Sequence, residues 1–137
     1  MKPAVCLAAL IAFASVHAEP TEIEDPIDVA MDKAMDKDPS TAGMVQAAAD
    51  ADTKWQKEID RALSRLKEAM SAKQWKALQR SQAAWKSYRD KEVATQDTIY
   101  ESMQGSMWVP VAATSITKLD KARALLLRDY IEKLAEQ

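Results

Sequence analysis

The chain has 137 residues, of which 19 are basic and 21 acidic, so its formal net charge is −2. This mild acidity argues against nucleic acid as a partner, because nucleic-acid binding needs a basic surface. Cysteine and histidine occur once each, at Cys6 and His17. The rest of the chain therefore offers no imidazole or thiol for catalysis and no ordinary zinc ligands, and we expect a protein without enzymatic activity, metal or cofactor.

The first eighteen residues have the pattern of a secretory signal. Lys2 gives a positive start, residues 4–16 are largely apolar, and Val16-His17-Ala18 has the small residues of a cleavage site. The apolar stretch is shorter than the ~20 residues that span a bilayer, so we expect no stable membrane anchor. We therefore expect cleavage near Ala18, a periplasmic or secreted location, and one helical domain over residues 19–137.

A helix start follows the acidic segment that begins at Glu19. Asp25 can serve as the N-cap, and Pro26 suits the first helical position. A short apolar pattern continues until Asp38-Pro39 interrupts it. The sequence therefore predicts a short helix over residues 26–38.

Two long helices are predicted next. The second helix starts at Ser40-Thr41 and runs to residue 70, with apolar residues spaced by threes and fours. Ser71 starts the third helix, because Gln74 at the third following position suits a capping box. This third helix is predicted over residues 72–104. Its inward face has the strongest periodicity of the chain, at Trp75, Leu78, Gln82, Trp85, Arg89, Glu92, Gln96, Ile99 and Met103.

A tight apolar connection is predicted from Gly105 to Pro110, followed by a last helix over residues 111–135. The predicted inward face of this helix carries Ala112, Ile116, Leu119, Arg123, Leu126 and Tyr130. No segment alternates with period two, so the sequence predicts an all-α antiparallel bundle of three long helices plus a short N-terminal helix. The expected core contains Ile59, Leu66, Trp75, Trp85, Ile99 and Leu126.

The inward face of the third helix becomes polar halfway along, which is unusual for a bundle core. Folding the helices about their predicted turns places Glu92 opposite Arg123, and Arg89 within a turn of Asp52. Because an unpaired buried charge is costly, we expect these four residues and Gln82 to form one satisfied network. The set could be a catalytic or anion-binding centre. We favour a structural network that fixes helix register, because closely packed helices leave little room for a substrate.

The block from Leu78 to Asp90 resembles the signature of the LprI-like family, small secreted helical proteins named for a lysozyme inhibitor. The matching positions are Leu78, Gln82, Trp85, Tyr88, Arg89 and Asp90. Weaker similarity extends from about Asp28 to Leu134. The resemblance implies a helical fold and an inhibitor of lysozyme.

Further similarity lies towards the C-terminus. Gly105-Ser106-Met107 is similar to the Gly-Ser turn of the family, and Arg123 with Leu126 to its closing Arg-x-x-Leu. Family members commonly carry cysteines that join their helices, whereas this chain has no cysteine after Cys6. Any property that depends on a disulfide scaffold is therefore not implied.

Met107, Trp108 and Val109 are the candidate contacts with a protein partner. Apolar residues on a loop favour a surface that another protein covers, and tryptophan is frequent at interface hot spots. Alternatively, Trp108 folds back and closes the open end of the bundle.

Two functions from different classes fit these features. The first is a secreted or periplasmic, non-enzymatic inhibitor or immunity-type binder of a lysozyme-like cell-wall hydrolase. A mildly acidic bundle would be steered towards such enzymes, which are commonly cationic. The alternative is an envelope accessory or scaffold module that binds another protein without inhibiting a hydrolase.

Overall fold

The computed structural model describes residues 24–136, so the predicted signal segment over residues 1–18 lies outside the described residues. Within the described part the chain forms four helices, α1 (Pro26–Lys37), α2 (Thr41–Ala69), α3 (Ala72–Glu101) and α4 (Trp108–Ala135). Residues 24–136 contain no strand. The predicted all-α fold is confirmed. None of these helices combines the length and apolarity that a membrane crossing requires.

The capping residues read from the sequence begin the first three helices. Asp25 Oδ1 accepts a hydrogen bond from the Ile27 amide at 3.0 Å, and Ser40 Oγ accepts one from the Gly43 amide at 3.0 Å. Ser71 begins α3 with a complete capping box, in which Gln74 Oε1 accepts from the Ser71 amide at 2.8 Å. These bonds satisfy amides that have no partner within the helix, so each start is specified locally.

The most extensive interface lies between α2 and α4. These two helices run parallel, because Thr117 Oγ1 donates to the Ala48 carbonyl at 3.1 Å and Arg128 further along α4 pairs with Glu58 further along α2 at 2.8 Å. Small residues let the two backbones approach closely. The buried alanines at this interface are Ala47, Ala48, Ala51 and Ala124. The intervening α3 runs antiparallel to both.

The apolar core lies at the end of the bundle near the turn between α2 and α3. It consists of Trp55, Ile59, Ala62, Leu66, Leu78, Ala124 and Leu127. The predictions for Ile59 and Leu66 are confirmed, and Trp75 and Trp85 pack against this core as partly buried side chains. The predictions for Ile99 and Leu126 are wrong, since these side chains are 47% and 41% exposed.

Helix geometry explains the error at Ile99, and buried polar residues explain the error at Leu126. Apolar residues spaced alternately by three and four recur every 3.5 residues on average, whereas a straight α-helix has 3.6 residues per turn. A strict pattern of this kind therefore drifts around the helix by about 20° in every heptad. At the end of α3, Tyr100 is therefore partly buried, whereas Ile99 is exposed. In α4 the buried face contains Thr117, Asp120 and Leu127 instead of the neighbouring Leu126. Thr117 and Asp120 are polar. A prediction of the buried face from apolar residues alone therefore gives the adjacent face of α4.

The connection between α3 and α4 is shifted towards the N-terminus relative to its prediction. It spans residues 102–107, because α3 ends at Glu101 and α4 already begins at Trp108. Pro110 lies in the first turn of α4, where a backbone amide has no helical partner and a proline costs little. Gly105 has a φ of +107°, which favours glycine at this turn.

The short helix α1 docks on the bundle. Ile27 packs against the apolar core. Arg128 joins three helices, because one guanidinium nitrogen binds Asp25 at 2.7 Å and the other binds Glu58 at 2.8 Å. Lys121 of α4 also pairs with Asp28 of α1 at 2.5 Å. Residues on either side of the start of α1 therefore fix it against α4.

Replacing Gly43 with alanine is expected to lower the melting temperature. Alanine favours a helix over glycine by about 0.8–1.0 kcal/mol, but a Cβ here would lie 2.4 Å from the Asp38 carbonyl oxygen. The backbone between α1 and α2 would have to move. Thermal unfolding of Gly43→Ala checks this, with Ala49→Gly on an exposed face of α2 as the control for propensity alone. A Gly43→Ala variant more stable than the native chain would contradict the close approach.

Candidate functional site

One cluster of polar side chains joins α2, α3 and α4 where these helices meet. We call it the carboxylate–arginine cluster, and its members are Asp52, Gln56, Arg89 and Asp120. Arg89 makes a bidentate pair with Asp120, from Nε to Oδ1 at 2.6 Å and from Nη2 to Oδ2 at 2.8 Å. The same Nη2 reaches Asp52 Oδ2 at 3.2 Å. Gln56 Nε2 donates to both carboxylates, at 2.9 Å and 3.2 Å, so the two carboxylates lie side by side.

The two carboxylates share a single guanidinium and therefore cannot both be fully compensated. Burial and the neighbouring Asp120 raise the pKa of Asp52 to about 7, which Arg89 only partly offsets. Burial also acts against ionisation of Asp120, but the interactions of Asp120 with Arg89, Asp52 and Gln56 together outweigh this and keep the pKa of Asp120 below its usual value. The bidentate geometry explains the asymmetry, because Asp120 makes the two short bonds and Asp52 the longer one.

A second polar group lies next to this cluster and centres on Arg123. Its Nε donates to Gln82 Oε1 at 2.9 Å, and its Nη2 donates to Ser81 Oγ at 3.3 Å. The guanidinium also lies 5.8 Å from the ring centroid of Trp85. Burial lowers the pKa of Arg123. In the described part of the chain its hydrogen-bond partners are neutral groups rather than a carboxylate.

The structure thus brings Asp52 and Arg89 together and places Gln82 against Arg123, but the predicted pairing of Glu92 with Arg123 is wrong. Glu92 is partly exposed and belongs to neither group. The misplaced turn explains the error, because a connection centred between residues 102 and 107 shifts α4 along α3 relative to one at residues 105–110. That shift brings Asp120 opposite Arg89.

Asp120 and Gln56 are the cluster residues that sequence reasoning missed. Pro110 is the residue from which the position of Asp120 could be predicted. A proline is tolerated in the first turn of a helix, so α4 can start before Pro110. With that earlier start, Asp120 lies opposite Arg89. Gln56 had no such signal, since it lies on a mostly exposed position of α2.

The carboxylate–arginine cluster has little capacity for catalysis. The side chain of Asp120 has no exposed surface, and both carboxylates are engaged by Arg89 and Gln56. Within residues 24–136 no group of three or more histidine, cysteine or acidic residues is arranged to hold a metal ion. We propose that this cluster fixes the register of three helices, as buried polar residues that bond across a core can.

The candidate contact residues divide into two kinds. Trp108 is partly buried, since its indole Nε1 donates to the Gln104 carbonyl at 3.0 Å and its ring stacks on Tyr100 at a centroid distance of 6.1 Å. Met107 and Val109 on either side are 62% and 54% exposed. Trp108 therefore folds back onto α3, while its two neighbours face solvent.

These neighbours are two of five large apolar side chains that are exposed at this end of the bundle. We call this set the apolar tip, and its members are Ile99, Met103, Met107, Val109 and Val111. A groove of about 570 Å³ opens beside it, between the end of α3 and the start of α4. Tyr100, Trp108 and Ile116 contribute apolar side chains to this groove, and Asp97 and Glu101 contribute acidic ones.

Comparison with known proteins adds a family and a fold. A family model described as lysozyme inhibitor LprI matches residues 32–127. A crystal structure of an uncharacterized protein from Burkholderia thailandensis is similar, with 33% sequence identity and a TM-score of 0.77 over 84% of this chain. The matched region covers 58% of that protein's chain. No curated protein matches the chain.

Proposed function

Because the chain belongs to the lysozyme inhibitor LprI family, we propose that it is a secreted or periplasmic protein without enzymatic activity that binds and inhibits a lysozyme-type cell-wall hydrolase. An immunity-type role against such an enzyme is included in this proposal. The supporting observation in the structure is the apolar tip, whose exposed side chains favour a surface that a partner covers.

The chemistry of the apolar tip suits a protein interface. Met103 and Met107 have flexible, polarizable side chains that adapt to an opposing surface. Val109, in the first turn of α4, adds a rigid, exposed apolar side chain. Asp97 and Glu101 line the adjacent groove and supply negative charge next to apolar side chains, a combination that protein interfaces often have.

Charge on another face supports a cationic partner. The groove between α1 and α4 is lined by five acidic and two basic side chains: Glu24, Asp25, Asp28, Asp129, Glu132, Lys121 and Arg128. Lysozymes are commonly cationic, and an excess of negative charge raises the rate of encounter with such proteins. We assign the acidic groove a role in steering and the apolar tip the role of contact.

A second candidate function is an envelope scaffold module. Exposed apolar side chains away from the apolar tip favour it, because Tyr88 on α3 and Leu125 on α4 are 52% and 41% exposed. Such a module would bind another protein through its helical faces and leave cell-wall hydrolases unaffected.

A muramidase assay separates the two functions. The purified protein is added to several lysozymes of different types, and lysis of a cell-wall suspension is followed. We expect lysis by at least one of them to fall in proportion to added protein and to stop near equimolar amounts. Undiminished lysis at a large molar excess with every lysozyme would contradict the inhibitor and leave the scaffold module.

A further inference from the structure

A polar groove between α2 and α3 has no part in the contacts described above for the apolar tip. Its volume is about 320 Å³, which lies at the lower end of the range of about 300–1,000 Å³ for small-molecule sites. α3 packs less closely against α2 than α4 does, and the groove lies where the two helices separate. Gln82, Trp85, Arg89 and Asp90, four residues of the block that is similar to the family signature, line it.

Charges of both signs line the groove. Asp60 and Asp90 contribute two carboxylates, while Lys86 and Arg89 contribute two cations. Arg89 is already bound to Asp120 and has little capacity left for a ligand anion. A groove of this kind attracts neither a strong anion nor a strong cation, and its many donors and acceptors favour a neutral polar ligand.

The groove also contains one aromatic side chain, held in a fixed orientation. Trp85 is partly buried and packs against the apolar core, and the Arg123 guanidinium lies 5.8 Å from its ring centroid. An indole beside amides and carboxylates offers an apolar ring next to directional hydrogen bonds. A pyranose ring has the complementary form, with a face of C–H groups and a rim of hydroxyls.

Gln82, which lines the groove, carries an unpaired donor that favours the same kind of ligand. Gln82 is 8% exposed, and its Oε1 accepts from Arg123 at 2.9 Å. Its Nε2 is buried and has no hydrogen-bond acceptor. An unmade hydrogen bond at a buried amide is unfavourable, so an oxygen atom supplied by a ligand, from a hydroxyl or an amide carbonyl, would be stabilised there.

We propose that the groove between α2 and α3 binds a neutral saccharide, with the ring of Trp85 against a sugar face and the side chains of Gln56, Asp60, Gln82 and Asp90 as hydrogen-bonding groups. One or two sugar rings match its size. This site is separate from the apolar tip, so it does not depend on inhibition of a hydrolase.

Heteronuclear NMR titration of the nitrogen-labelled protein tests the proposal. The probes are three neutral trisaccharides, tri-N-acetylchitotriose, cellotriose and maltotriose, added separately. We expect at least one of them to shift the Trp85 indole and the Gln82 side-chain amide signals with a dissociation constant in the millimolar range or tighter. If none shifts these signals at about 10 mM, which corresponds to a binding free energy weaker than about −3 kcal/mol, the proposal is overturned.

Two variants locate the binding. Asp60→Ala and Asp90→Ala change exposed groove residues and should each weaken binding by about tenfold. Asp36→Ala, on an exposed face of α1, is the control and should leave affinity unchanged. Equal affinity in all three variants, or shifts confined to residues outside the groove, would overturn the site. Loss of saccharide binding with inhibition of lysis intact would leave the proposed function untouched.

Discussion

Replacing Arg89 with alanine is expected to lower the free energy of unfolding by about 3–5 kcal/mol, the usual cost of removing one partner from a buried ion pair. The Asp120 side chain has no exposed surface and would lose both of its short bonds. It would then lie beside Asp52 with no cation between them. Chemical denaturation followed by circular dichroism measures the loss.

Two variants make this result specific. Lys86→Ala lies one turn from Arg89 on an exposed position and should change stability by less than about 0.5 kcal/mol. Adding Asp120→Asn to Arg89→Ala should recover part of the loss, because a neutral amide tolerates burial better than an unpaired carboxylate. If Arg89→Ala unfolds at the native denaturant midpoint, the cluster does not hold the helices together.

Stability is expected to fall as the pH rises from 5 to 8. The pKa of Asp52 is raised by folding, to about 7, so the native state binds a proton that the unfolded state releases near pH 4. Such a group stabilises the protein fully below its unfolded pKa, and the advantage disappears as the pH passes its folded pKa. The lowered pKa values of Asp120, Asp25 and Glu58 act in the opposite sense, but only in the acid range.

The size and origin of this effect can be checked directly. One pKa unit corresponds to about 1.4 kcal/mol, and because the Asp52 side chain is 21% exposed we expect a loss of about 1–2 kcal/mol between pH 5 and 8. The only histidine is His17, so no described imidazole competes in this range. Asp52→Asn should flatten the dependence. An unchanged slope in that variant, or greater stability at pH 8 than at pH 5, would contradict the shared-guanidinium geometry.

Local signals in the sequence determined the starts of α1, α2 and α3 correctly, but not the start of α4. Asp25, Ser40 and Ser71 each bond an amide within the first turn that follows, so the information lies within three residues of each boundary. The all-α class can also be predicted from local information. Apolar residues spaced by threes and fours indicate a helix within each segment, whatever the rest of the chain does. Features of this kind do not depend on how the helices are later arranged.

The contacts within the candidate site depend on how the helices pack against each other. The sequence predicted only some of these contacts. Arg89 with Asp52 could be derived, because the turn at Ser71 was placed correctly. The pairing of Glu92 with Arg123 failed, since moving one turn by a few residues changes every contact between α3 and α4. Asp120 was hidden by its polarity, because a face chosen for apolar residues does not include a buried aspartate.

Inhibition by a variant of the apolar tip tests the central claim most directly. Met107→Asp combined with Val109→Asp places two charges on exposed side chains and should leave the melting temperature nearly unchanged, whereas Leu126→Asp, on the far part of α4 and outside the acidic groove, serves as the control. The inhibition constant is measured by titration against the lysozyme that the native protein inhibits. We expect the double variant to inhibit at least about 30-fold more weakly, as the loss of an interface hot spot would, and the control to match the native protein. Equal inhibition by the folded double variant and the native protein would contradict the apolar tip as the surface that contacts the hydrolase.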